Sequence, residues 1–426
     1  MGEQRLPGGH IRVVEALKAG PRVLRLRCGV QHYAWGDPEF IPRLLGVGNP
    51  DGRPFAELWI GAHPDLPAEV LVDGGVRLDH LIASAPERVL GREVARRFGA
   101  RLPFLLKILA AAQPLSIQVH PDRRQAREGF ERENRLGLPV DDPRRNYHDP
   151  NHKPELLCAL TPFYALRGFR PLAVIGQVLA SIPEFEAISR DYVPTPEGLA
   201  AWYGRVMRMD QDRVDRVLGP LLERLRSQAA MRPFAPSEPE YWVLRADAAF
   251  SVNGHRDRGL FSIFVLNLLR LEPGQAIFLP AGELHAYLQG AGVEVMANSN
   301  NVLRGGLTPK HVDVNELLKV VRFQGADPEL VPAQGQPTGF GRSCYSTPVQ
   351  EFELCRIRLG RDRVEGVAAG TVGLAVVTGG RVSVSAPGAE TLRLDAGQCY
   401  LVPHGVSYTL GTDREGEVFV ATVPRS

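Results

Sequence analysis

The sequence predicts a mainly β protein, built from sandwich or barrel units with a helical segment inserted between strands. Three observations carry this. Glycine (44) and proline (35) are abundant, and residues 359–397 mix Gly, Val and turn formers in a way that suits many short strands. A strand-turn-strand pattern occurs twice, as "LRLEPGQAIFLPAGELHAYL" (269–288) and "LRLDAGQCYLVPHGVSYTL" (392–410). Between the β-rich parts lies a section, about 171–235, with helical apolar spacing.

Taken in order, residues 22–35 mix β-branched and aromatic residues with polar ones, giving a strand and an irregular loop. Residues 76–100 read as helix. "LPFLLKILAAAQPLSIQVHPD" (102–122) reads as an apolar strand, a turn, and a second strand ending at His120. Residues 122–135 are charged and helix-prone, and 137–151 hold too many turn formers to be anything but loop. In "DRVDRVLGPLLERL", Val214, Val217, Leu218, Leu221, Leu222 and Leu225 form one apolar stripe, with Asp212 as candidate cap and Gly219-Pro220 as a kink or break. "PLAVIGQVLASIPEFEAI" is a second helix candidate, and strand signals return from about 241.

Aligning the repeats through Pro280 and Pro403 places Gly282 on Gly405 and His285 on Tyr408. The two copies agree over about eleven positions, as a β unit used twice would. One copy carries a potential ligand and the other does not. Alternating side chains point into a small barrel, whose interior can hold one site.

Composition narrows the function classes. Fifty basic and 48 acidic residues leave a net charge of +2, which gives no reason to expect a nucleic acid or an anionic membrane as partner. Five cysteines are widely spaced with no C-x-x-C pair, so reduced thiols in a cytoplasmic protein are expected. The N-terminus lacks a signal-peptide run, Gly2 lacks the pattern for myristoylation, and no stretch approaches 18 apolar residues. An unremarkable surface composition suits a monomer.

His285 sits where a strand resumes after a tight turn, either packed in the core or aimed into a cavity. Gln118 and His120 are two apart, on one face of a strand. Glu155 follows Pro154 and opens an apolar run. Together Gln118, His120, Glu155 and His285 supply O, N, O and N ligands that suit zinc or another borderline divalent ion. The plain alternative for His120 is a strand-end ring bonded to Asp122. For Glu57 it is a carboxylate holding the N-terminal loop, and for Trp35 and Trp59 it is packing.

Several segments together resemble type I phosphomannose isomerases: "QHYAWG" (31–36), "AELWIGAHP" (56–64), residues 102–122, "HKPE" (152–155), "FLPAGELHAY" (278–287) and "VEVMANSNNVLRGGLTPKHVD" (293–313). The resemblance implies cupin-like jelly-roll domains with a helical domain inserted. It implies one zinc ion held by Gln118, His120, Glu155 and His285. It also implies interconversion of mannose 6-phosphate and fructose 6-phosphate, and a site lined by Ser116, Lys153, Tyr287, Glu294 and Arg304. On this reading 22–170 is the N-terminal catalytic part and 171–240 the helical domain. Residues 241–320 are the cupin-like unit contributing His285, and 321–426 a second, structural one.

Aldose–ketose isomerisation moves a proton between C1 and C2 through a cis-enediol, so it needs a base and positive charge near the developing oxyanion. Glu294, inward by alternation in "VEV", and Lys153 are both candidates for the base. Arg304 either stabilises the enediolate or clamps the phosphate. Lys310, in "RGGLTPK", is a phosphate ligand or a solvated loop charge, and Ser116 is an uncharged donor. The family often has Asp-Asn after the Ser, where this chain has Asn300-Asn301 after Ser299. The expected consequence is weaker support for Arg304 or His285. Two other readings stay open: a sugar-binding module without turnover, and an iron oxygenase, against which Gln118 argues.

Overall fold

The fold is that of a computed structural model, which describes residues 20, 22–72, 75–336 and 339–425. Expectations for the first residues, Gly2 included, lie outside the described residues. Ten strands form one antiparallel sheet folded on itself, with His285–Ala297 at its centre. A nine-stranded sheet and a four-stranded sheet make a second sandwich from the C-terminal part.

The internal repeat extends well beyond the matching letters. In the first unit His285–Ala297 pairs with Phe104–Ala111, Ile117–Val119, Glu155–Ala159 and Phe163–Phe169. In the second, two shorter strands share that work. Gly416–Thr422 pairs with Glu353–Leu359 and Gly373–Gly379, and Tyr408–Gly411 with Val364–Val367 and Arg381–Ser385. The strand Ala276–Leu279 pairs with Glu155–Ala159 as Cys399–Val402 pairs with Gly373–Gly379.

The two sandwiches share a core. Phe104, Leu106, Ile108, Val293 and Val295 pack in one cluster with Leu354, Leu374, Val376, Leu401 and Phe419. The opposite side chains of the same strands, such as Leu109, Leu157 and Ile277, fill the inside of the first unit. Phe104–Ala111 is therefore buried along its whole length, which is why it reads as a continuous apolar run rather than an alternating one. Leu24–Arg27 lies beside Cys399–Val402, so the N-terminal strand joins the C-terminal sheet.

The helical segment has its own core and differs from expectation at several points. Residues 76–100 hold three short helices, Leu78–Ser84, Pro86–Val89 and Arg92–Phe98, because Pro86 and Gly91 interrupt the pattern. Gln211–Met231 runs unbroken through Pro220, and its cap is Asp210, which accepts from the Arg213 amide, rather than Asp212. Its stripe of Val214, Leu218, Leu221, Leu222 and Leu225 is buried, and that packing outweighs the proline's preference. Helices continue past 241 as Pro239–Phe250 and Leu260–Val265, and strands resume only at Leu266. Arg123–Arg135 starts with a reciprocal capping box between Asp122 and Gln125. No single helix among the described residues is long and apolar enough to cross a membrane.

One cysteine expectation is overturned. Cys344 and Cys355 lie directly opposite on adjacent strands, their Cα atoms 4.0 Å apart, and form a disulfide. Wide separation in a spacing pattern hid a cross-strand pair. Cys28, Cys158 and Cys399 remain thiols.

Leu218 is fully buried in the helical core. Leu218→Ala is expected to destabilise the fold by about 2–5 kcal/mol, read as a lower urea midpoint. An unchanged midpoint would show that this helix face contributes little.

Candidate active site

Four strands deliver the site to the inside of the first unit. His285 opens the central strand, and directly opposite it lies Gln118. Gln118 in turn lies opposite Arg304. Cross-strand partners share a face, so Gln118, His285 and Arg304 look into one chamber. Glu155 opens its own strand, opposite Leu279. The turn before His285 is fixed by Gly282, whose φ is +82° and whose amide donates to the His120 carbonyl at 2.9 Å. A Cβ there would meet Arg322 at 2.7 Å, so glycine is required both for conformation and for space.

His120 and His285 are fully buried, with ring centroids 5.0 Å apart. The Nδ1 of His120 meets the Asn301 carbonyl at 2.7 Å, and the Nδ1 of His285 meets the Glu283 carbonyl at 2.9 Å. A carbonyl can only accept, so each ring carries its proton on Nδ1 and turns the Nε2 lone pair inward. Both Nε2 atoms are buried without a hydrogen-bond partner. They lie 3.3 and 3.5 Å from the two carboxylate oxygens of Glu155. Two imidazole lone pairs and a carboxylate, all within 4.8 Å of one another, fit a zinc ion. Gln118, on the same face, is placed to add an amide oxygen.

Electrostatics keep this set ready. Burial pushes the His120 ring down to about 4, so it stays neutral and able to ligate. Burial opposes the charge on Glu155, but Lys153 and His120 outweigh it and hold the carboxyl well below its ordinary range. The Lys153 ammonium is 3.3 Å from Glu155.

A second buried group adjoins the ligands. Lys107 is 3.3 Å from Glu57 and 3.2 Å from Glu294, and it lies over the Trp59 ring. Trp59 donates its indole N–H to Glu57 at 2.6 Å, and Tyr287 donates its hydroxyl to Glu294 at 2.9 Å. Burial works to strip the Lys107 proton, yet Glu57 and Glu294 hold it above the usual lysine range. Burial pushes the Glu294 carboxyl up, against the opposing pull of Lys107.

Arg304, opposite Gln118, is half-buried, and Lys310 is exposed. Partial burial lowers both, and Arg304 lowers Lys310 further, so the two cations are near neighbours. Ser116 is half-buried and by alternation shares the face of Gln118. The Asp257 carboxylate accepts from the amides of Gly259, Leu307 and Thr308, at 2.7, 2.8 and 3.3 Å. It fixes the segment carrying Arg304.

Several readings change with the geometry. His120 is oriented by Asn301 rather than Asp122. Glu57 pairs with Lys107 inside the chamber and does not anchor a loop. Trp59 does pack, but it also donates to Glu57. Asn301 supports His120, whereas Asn300 donates its backbone amide to Asp149 at 2.7 Å and its side chain to Asp65 at 3.3 Å, so neither supports Arg304 or His285. Buried Asn301 also accepts from the His148 and Asp149 amides and donates to the carbonyls of Asp149 and Asn151, tying down the end of the 137–151 loop. Lys107 and Asp257 escaped the sequence reading. A lone lysine inside "FLLKILAA" was the available signal for the first. Nothing local marks the second.

Asn301→Ala is expected to weaken zinc binding by about 10- to 100-fold, because the loop that presents the His120 acceptor loses its anchors. Competition with a chromophoric chelator measures this. Unchanged affinity would mean that the backbone carbonyl holds its place without the side chain.

The profile for phosphomannose isomerase type I, catalytic domain, matches residues 23–172. Mannose-6-phosphate isomerase of Salmonella typhimurium is 43% identical over 300 residues, covering 69% of this chain and 73% of that protein. The Homo sapiens mannose-6-phosphate isomerase is 34% identical over 402 residues, covering 88% and 91%. The crystal structure of the Salmonella typhimurium mannose 6-phosphate isomerase bound to substrate (f6p) and zinc superposes with a TM-score of 0.83 at 33% identity, covering 95% of this chain and 100% of that one. With relatives of this similarity spanning most of its length, and a zinc-fitting set of two histidines and a glutamate at its centre, the chain belongs to the type I phosphomannose isomerase family.

Proposed function

We propose that the protein interconverts D-mannose 6-phosphate and D-fructose 6-phosphate by moving a proton between C1 and C2 through a cis-enediol(ate). The observation that carries the reading is the convergence of two buried, unpartnered imidazole nitrogens and Glu155 beside a buried acid–base group, in a chain of this family. A divalent ion such as zinc at these ligands supplies positive charge for the sugar oxygens on C1 and C2. Gln118 completes the set as a neutral ligand, which leaves more of the ion's charge uncompensated than another carboxylate would.

In this reading Glu294 is the base. Its carboxyl is buried, its proton affinity is raised, and it sits between the Tyr287 hydroxyl and the Lys107 ammonium. Lys107 keeps its proton and supplies charge for the developing oxyanion from within the chamber. Lys153 balances Glu155 and leaves the base role to Glu294. Arg304 and Lys310 take the phosphate, since burial lowers both and the Arg304 charge lowers Lys310 further, so both gain from a dianion. Ser116 donates to the sugar. The protein then acts as a monomer on a small phosphorylated sugar, without nucleic-acid or membrane partners.

Chelation is expected to abolish coupled isomerase activity on mannose 6-phosphate, and added zinc to restore it. Absence of turnover in protein holding one zinc per chain would leave only a binding site and defeat the enzyme reading.

The active base is the carboxylate, so activity falls as pH drops through the Glu294 pKa. Because burial raises that pKa, the acid limb of kcat/KM should lie above the ordinary carboxylate value of about 4.3. Glu294→Gln should lower kcat by about 10²- to 10⁴-fold, with a smaller effect on KM. Lys107→Met removes the charge that opposes the rise, so its acid limb should move to higher pH. Near-normal kcat in Glu294→Gln would transfer the base role elsewhere.

A further inference from the structure

The strand register that aligns the two units also aligns their interiors. Gln118 lies opposite His285, and Val367 lies opposite Tyr408. Glu155 lies opposite Leu279, and Gly373 lies opposite Val402. Lys107 lies opposite Glu294, and Cys355 lies opposite Val420. Glu57 lies opposite Leu109, and Arg342 lies opposite Ile357. The second unit thus repeats the active-site framework with the metal ligands Gln118, Glu155 and His285 replaced by Val367, Gly373 and Tyr408. The acids Glu57 and Glu294 become Arg342 and Val420.

These replacements have not filled the space. A cavity of about 370 Å³ remains, lined by Arg342, Cys355, Ile357, Val367, Gly373, Tyr408 and Val420 among others. The buried hydroxyls of Tyr408 and Tyr400 face each other and have no hydrogen-bond partner outside the pair. Burial pushes the Tyr408 phenol up to about 12, against the smaller opposing effects of the Tyr400 hydroxyl and then the Arg342 charge, so it is a neutral donor. Five valines contribute to the wall, and Arg342, Arg425 and Glu353 are the charged residues of the lining. Two cations and one anion leave a single net positive charge. Where the first unit has a glutamate in this framework, the second has an arginine.

We propose that the interior of the second unit is a binding site for a small monocarboxylate with an apolar body. The carboxylate lies between the Tyr408 hydroxyl and the Arg342 guanidinium, and the body lies against Val367, Val402 and Val420. A buried pair of phenols with no acceptor beyond each other, a guanidinium on the same lining and an apolar wall together ask for this chemistry. Glu353 disfavours a dianion, which separates this site from one for a phosphate ester.

The test is calorimetric titration of the zinc-loaded full-length protein with 3-phenylpropanoate, and separately with inorganic phosphate. Saturable binding of one carboxylate per chain is expected, with isomerase activity still present. Val367→Trp should abolish binding by filling the cavity, and Arg342→Ala should weaken it by about tenfold or more. Phosphate should not displace the carboxylate. Should Val367→Trp fail to fold, exposed Arg342→Glu reads the same site and should also abolish binding. No saturable binding, binding that survives the arginine substitutions, or displacement by phosphate would overturn the proposal.

Discussion

The strand His285–Ala297 is the element on which the rest depends. It is hydrogen-bonded to four other strands along its 13 residues. A one-residue slip in any of those ladders would turn the paired side chains to the opposite face. Its first residue is a metal ligand, its third is Tyr287, and Glu294 follows on the same inner side. Its other face carries Val293 and Val295 into the core shared with the second unit. Chemistry and stability therefore rest on one register, and the apolar face pins the polar one.

Inside the chamber the governing constraint is charge in a dry interior. Three glutamates and two lysines lie close together, with Glu57, Lys107, Glu155 and Glu294 buried. An isolated charge there would be very unfavourable, so each acid faces a cation or an imidazole. Lys107 stays protonated because two acids flank it, and Glu155 stays ionised because Lys153 and His120 face it. Burial raises the proton affinity of Glu294, which faces Lys107 but also the charges of Glu155 and Glu57.

The two units show what a common framework leaves open. Five corresponding strand pairings around the central strand and its neighbour recur, along with the Pro-x-Gly turn. Backbone hydrogen bonding sets where side chains point, and it is indifferent to which side chains they are. In the first unit those positions hold a zinc-fitting set, and in the second a phenol, a disulfide sulfur and valines. The second unit also contributes outside its own interior. Glu351 reaches the His152 ring at 3.0 Å, one residue before Lys153.

Much of this was legible in the chain itself. The strand Ala276–Leu279, the turn after it, the placement of His285, the helix after His120 and the helical stripe through Leu218 and Leu222 all follow from local chemistry. Turn residues, caps and periodicity act over a few residues, so a sequence states them directly. The metal ligands were readable as candidates because strand alternation fixes the face of Gln118 and His120. Tertiary structure decided what acts across the chain. It brought Glu57 to Lys107 and placed the Asn301 carbonyl on His120. It also set Cys344 against Cys355, carried Asp257 beneath Leu307, and kept Pro220 inside an unbroken helix. Each is a contact between segments whose approach depends on the register of the whole sheet or the packing of a whole core. No local pattern encodes a distance of that kind.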